Sequence, residues 1–141
     1  MSQRSVLRLI DANTNRALEG IRVCEDIVRF HLEFTPSFRQ LRNLRHAIAR
    51  AVRTLPVSPA ALVRSRASGH DVGKRAPSSK VESLERLLLI NLQRAKESLR
   101  TLEECMRLLA PTQTSVFQRL RFRTYEVERE LLCRLATLRH R

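Results

Sequence analysis

Glycine, lysine and aromatic residues are scarce in this chain of 141 residues: three Gly, three Lys (Lys74, Lys80 and Lys96), five Phe, one Tyr and no Trp. So little glycine and so few aromatics, set against abundant Leu, Arg and Ala, argue against a sandwich, a barrel or a Rossmann sheet and for an all-α fold. Cysteine is scarce too. Cys24, Cys105 and Cys133 are odd in number with no Cys-x-x-Cys spacing, which argues against a disulfide framework or a zinc ribbon. No apolar run reaches the length of a membrane span. Met1-Ser2-Gln3-Arg4 leads directly into an amphipathic pattern with no separate apolar core, so no signal peptide is expected and the chain reads as cytoplasmic. Acid is outnumbered: 14 carboxylates face 27 basic residues, for a net charge of +13. Twenty-four of those cations are Arg. The excess points to anionic partners, and the planar guanidinium suits bidentate recognition of phosphate.

Four amphipathic stretches are expected to be helices, at about residues 5–34, 37–55, 80–109 and 114–138, each bounded by a Pro or a Ser/Thr cap. The chain then reads as one helical domain, 1–141, made of one hairpin over about 5–55, a basic loop over 56–79 and a second hairpin over about 80–139. A loop that long in a compact domain is usually functional or disordered. An internal repeat supports the division. Asn13, Arg16, Ala17, Glu19, Arg22 and Glu25-Asp26 recur as Asn91, Arg94, Ala95, Glu97, Arg100 and Glu103-Glu104, at a constant offset of 78. Downstream, Phe38-x-x-Leu41-Arg42 is echoed by Phe117-x-x-Leu120-Arg121. Two hairpins related by a pseudo-two-fold in an antiparallel bundle are expected.

Wound at about 100° per residue, the first helix places Asn13 and Arg16 within its apolar face, and the third repeats this with Asn91 and Arg94. Arg45 lies among the apolar residues of the second helix, and Arg121 borders the stripe of the fourth. A buried guanidinium without a partner is very costly, so these four must meet carboxylates or a bound anion. One solution is an Arg–Glu lattice with Glu19, Glu97 and Glu128. The other is an anion site between the hairpins, where Gly20 and Ser98 let the long helices approach closely. The loop adds Arg64, Arg66, Lys74 and Arg75 around Gly69 and Gly73, with Asp71 placed to hold Mg²⁺ or orient a donor. No Glu-x-x-His occurs, and His31, His46, His70 and His140 show no metal-ligand spacing.

The ordered series Asp11-Ala12-Asn13-x-Asn15-Arg16-Ala17-x-Glu19-Gly20-Ile21-Arg22, Leu44-Arg45-His46, Asp71-Val72-Gly73, Asn91-x-x-Arg94-Ala95-x-Glu97-Ser98 and Leu120-Arg121-x-Arg123-x-Tyr125 resembles the small hydroxymethylpyrimidine-phosphate kinases of bacterial thiamine synthesis. In that family the domain occurs alone or fused ahead of thiamine-phosphate synthase. The resemblance implies transfer of the ATP γ-phosphoryl group to 4-amino-5-hydroxymethyl-2-methylpyrimidine phosphate, with ATP and Mg²⁺ bound. It implies functional pairing with the synthase and allows a homodimer; neither a membrane nor a specific nucleic acid is expected as partner. An ionised phosphate acceptor needs no strong base, so the protein has to align two polyanions and neutralise charge. On that requirement Arg16 and Arg94, with Glu19 and Glu97, are the expected catalytic set. Asn13, Asn91, Arg45, Arg121, Asp71, Gly73 and Lys74 are expected to bind substrate or phosphate, and Glu19, Glu97 or Asp71 to hold Mg²⁺. The alternative is a noncatalytic phosphate-ligand or RNA-binding helical module.

Overall fold

The computed structural model describes residues 3–74 and 76–139; Arg75 and His140 lie outside them. Helix α1 spans Gln3–Ile27, α2 Thr35–Arg53, α3 Pro59–Arg64, α4 Leu84–Leu109 and α5 Thr114–Arg139. There is no strand among the described residues. The fold is all-α.

Spacing of three and four residues explains the long helices. Val6, Ile10, Ala17, Ile21 and Cys24 of α1 are buried, as are Leu41, Leu44, Ile48 and Val52 of α2. Leu88, Leu92, Leu99, Leu102 and Met106 do the same for α4, and Phe117, Leu120, Val127 and Leu131 for α5. Within the α5 stripe Thr124 is buried, and its hydroxyl donates to the Leu120 carbonyl at 3.0 Å, so it costs little there. α1 packs most extensively on α4; α1 also meets α2, α4 meets α5, and α2 meets α5. The four long helices thus close a bundle around one core.

The helix ends differ from expectation in instructive ways. α1 passes into one wide π turn, Val28–Leu32, and stops at Glu33, whose φ of 57° is left-handed. The Phe34 N–H then donates to the Val28 carbonyl at 3.3 Å, and Pro36 sits in the first turn of α2. α4 begins at Leu84 rather than near Lys80, because the Ser83 hydroxyl accepts the Arg86 N–H at 3.0 Å.

The basic loop is not structureless. Ser58 caps α3 by accepting the Ala61 N–H at 3.1 Å, Pro59 fills the first helical position, and Leu62 is buried. α3 lies against α1, and just beyond it Arg66 clamps Asp11 with Nε–Oδ2 at 2.7 Å and Nη2–Oδ1 at 3.0 Å. A short turn at Ser68–His70 follows.

Candidate functional site

α1 and α4 approach closely at Gly20. A Cβ there would stand 3.1 Å from the Asn91 carbonyl oxygen and 3.7 Å from the Ala95 Cβ. Gly20→Val should therefore force the helices apart at a cost of about 1–3 kcal/mol, outweighing the gain in helix propensity. An unchanged urea unfolding midpoint would show that this contact is not needed.

Around that close approach opens a cleft of about 680 Å³. Its lining consists of five residue pairs at the repeat offset of 78: Asn13 with Asn91, Arg16 with Arg94, Glu19 with Glu97, Gly20 with Ser98, and Val23 with Thr101. Each asparagine is pinned the same way. The Asn13 Nδ2 donates to the Leu9 carbonyl at 2.8 Å, and the Asn91 Nδ2 to the Leu87 carbonyl at 2.9 Å. Neither side-chain oxygen accepts a hydrogen bond from a described residue, so each remains an acceptor for a ligand. Arg16, Arg94, Glu19 and Glu97 are all exposed, and none forms an ion pair within 4.0 Å with a described residue. Arg16 and Arg94 thus stand on the rim of an open cleft rather than in the interior.

Arg45 and Arg121 are elsewhere. The Arg45 Nε and Nη2 grip the Glu25 carboxylate, with the Nη2–Oε1 contact at 3.1 Å. Arg121 holds Glu103 in the same manner, at 3.0 Å from Nε and 3.4 Å from Nη2. Both glutamates are buried, and the hydrogen bond to its glutamate raises the pKa of each arginine. An Arg–Glu arrangement is therefore present, but its acids are Glu25 and Glu103, not Glu19 and Glu97. Glu128 serves Lys96 instead, at 2.8 Å, with the ammonium 4.6 Å from the centre of the Tyr125 ring. The two glutamates are 78 positions apart and the two arginines 76. This makes Leu41 and Leu44, not Phe38 and Leu41, the counterparts of Phe117 and Leu120.

The loop residues are not brought to the cleft. Asp71, Gly73 and Lys74 are exposed, and the Asp71 Oδ1 accepts the Gly73 N–H at 2.9 Å in a local turn. No cluster of three His, Cys, Asp or Glu side chains able to hold a metal occurs among the described residues. Glu19 and Glu97 are the two carboxylates that line the cleft among the described residues. Two carboxylates without ion-pair partners among the described residues match the way Mg²⁺ is usually held, by one or two acids together with substrate phosphates. Thiol chemistry has little support: burial, and then Glu25, pushes the Cys24 thiol well above its usual range, and its sulfur lies 3.6 Å from the Leu88 carbonyl. Burial raises Cys105 as well.

Val23 and Thr101 were not singled out from sequence. Each lies one turn beyond Glu19 or Glu97 at the same offset, so extending the repeat along the helix face would have found them. Glu25 and Glu103 belong to the repeat, but spacing alone assigns them no partner. Their recurrence, with Leu44-Arg45 and Leu120-Arg121 recurring downstream, is the available signal.

Among the described residues, no helix is long and apolar enough to cross a membrane. A thiamine-phosphate synthase of Synechocystis sp. is 35% identical to the chain over 134 residues, covering 93% of the chain and 37% of the relative. One from Rhodopirellula baltica is 32% identical over 141 residues, covering 98% and 37%, and one from Prochlorococcus marinus is 32% identical over 124 residues, covering 87% and 35%. The chain thus spans little more than a third of the length of these relatives. No solved structure matches it. The ThiD2 family model matches residues 8–130, which reach into all four long helices and include every residue of the cleft, and the chain belongs to that family.

Proposed function

We propose that the chain acts in thiamine biosynthesis as a kinase that moves the ATP γ-phosphoryl group onto 4-amino-5-hydroxymethyl-2-methylpyrimidine phosphate, giving the diphosphate and ADP. The observation that carries this reading is the cleft: two arginines, two glutamates and two asparagines, paired across α1 and α4, with all four charges left without ion-pair partners among the described residues. Two facing cations suit two polyanions held end to end. The similarity to thiamine-phosphate synthases supports the same pathway, and pairing with a synthase is part of the proposal.

In the transfer, an ionised oxygen of the acceptor phosphate attacks Pγ, and the bond from Pγ to the β,γ-bridging oxygen breaks, leaving ADP. Catalysis is then positioning and charge neutralisation. Arg16 and Arg94 each offer a planar fork to a phosphate. The free amide oxygens of Asn13 and Asn91 accept from ring or amino N–H groups of a ligand. Glu19 and Glu97 would hold Mg²⁺, which supplies charge neutralisation between the phosphates.

Purified protein with ATP, Mg²⁺ and the pyrimidine phosphate is expected to form ADP and the diphosphate in equal amounts. Absence of both, with intact helical circular dichroism, would overturn the proposal and leave a noncatalytic module. The free alcohol is a sharper test. It lacks the phosphate that pairs with an arginine, a loss of about 1.5–3 kcal/mol. It also needs a base, and no His lines the cleft among the described residues. Its turnover is expected to be at least roughly a hundredfold lower; comparable turnover of both acceptors would refute the assigned phosphate contacts.

A further inference from the structure

The lining of the cleft pairs at a constant offset, but its flanks differ. Beside Arg94, the residues Arg86, Leu89, Ile90 and Gln93 of α4, together with Glu128 and Leu132 of α5, line an open groove of about 420 Å³. Arg94 and Glu97 belong to both this groove and the cleft, so the two adjoin at those side chains. Stepping back by 78 puts Arg8, Asp11, Ala12 and Asn15 beside Arg16. There an aspartate stands where α4 has Leu89, and Arg66 from the loop occupies it through two hydrogen bonds, while α3 packs on the same helix. On the α1 flank the aspartate is taken up by the loop; the α4 flank keeps aliphatic surface open beside the Lys96–Glu128 pair, with Leu132 44% accessible.

We infer that the α4–α5 groove seats the base and ribose of the nucleotide whose phosphates reach Arg94, making the α4 half the donor half and the α1 half the acceptor half. This rests on the kinase reading above. A nucleoside triphosphate needs both an anion-binding cradle and an adjoining apolar slot, and such a slot adjoins the cleft at Arg94. Leu89, Ile90 and Leu132 give a flat purine an aliphatic wall, and covering Leu132 removes apolar surface from water. Gln93 carries a donor and an acceptor on one amide, the pattern that matches the N6 and N7 edge of adenine. The pyrimidine phosphate is shorter and needs no such extension, so the α1 half beside Asn13 and Arg16 suffices for it.

The test is equilibrium binding of ATP, inorganic tripolyphosphate and the pyrimidine phosphate, each with Mg²⁺, to the wild-type chain, Leu132→Gln and Gln93→Ala. Both side chains are exposed, so the variants are expected to fold; circular dichroism checks this, and either variant suffices alone. Wild type is expected to bind ATP about tenfold or more tighter than tripolyphosphate. Each variant should lose most of that advantage while tripolyphosphate and the pyrimidine phosphate stay within about twofold. Equal binding of ATP and tripolyphosphate by wild type, no ATP binding at all, or weakening of the pyrimidine phosphate instead would each overturn the inference. The expected pattern without ADP formation would leave the nucleotide groove standing and remove the kinase reading.

Discussion

Arg94→Ala is expected to reduce ADP formation roughly a thousandfold, the scale on which a single arginine stabilises a phosphoryl-transfer transition state. Arg16→Ala should lose a comparable amount. Neither change should disturb the fold, because both side chains are exposed and neither pairs with a described carboxylate within 4.0 Å. Helical circular dichroism and the thermal midpoint should therefore match wild type, which separates a lost ligand contact from lost structure. Arg94→Lys keeps the charge but not the planar fork, so it should recover only part of the loss. With the nucleotide on the α4 side, Arg94→Lys should raise the KM for ATP more than that for the acceptor, and Arg16→Lys the reverse. A fall of less than tenfold in either Ala variant, measured as initial ADP release, would show that the cleft's arginines are not the phosphate ligands.

The bundle was legible because apolar spacing depends on one helix at a time. Ile10, Ala17 and Ile21, or Leu41, Leu44 and Ile48, declare their buried faces without reference to any neighbour. The lining of the cleft was legible for a related reason: Asn13, Arg16 and Glu19 recur as Asn91, Arg94 and Glu97 at a fixed offset, and a close approach at Gly20 places both sets at one crossing. What sequence could not decide was partnership. Periodicity assigns Arg45 to a face, but which carboxylate crosses from α1 to meet it depends on the relative height of two helices. Glu25 lies between Ile21 and Val28 on the apolar side of α1, and only the packed bundle shows that it reaches Arg45. Fine angular position was lost as well. Arg16 winds within the apolar face, yet it is exposed at the rim of the cleft. α3 escaped because six residues are too short for helical periodicity to register; Ser58-Pro59, a cap followed by a first-turn proline, was its one local mark.

Arg45 and Arg121 are the residues whose sequence-based role as phosphate ligands and whose geometry lead to opposite experimental outcomes. As phosphate ligands, their removal would abolish activity and spare stability. Their ion pairs predict the reverse. Arg45→Ala leaves the Glu25 carboxylate, whose side chain is only 2% exposed, buried without its cation. Breaking a buried pair from one side costs about 3–5 kcal/mol, and the lower end applies because the Arg45 side chain is itself 23% exposed. For a domain of this size that lowers the thermal midpoint by roughly 10 °C. Glu25→Gln should cost less, since its amide oxygen still accepts from the guanidinium and the stranded cation can reach water. Replacing both partners with apolar residues, as in Glu25→Leu with Arg45→Met, removes the buried charge altogether and should recover most of the loss. Arg45 does not line the cleft, so at a temperature where Arg45→Ala remains folded its turnover should stay within a few-fold of wild type. Loss of turnover in a variant with an unchanged midpoint would return Arg45 to the phosphates and displace Glu25 as its functional partner.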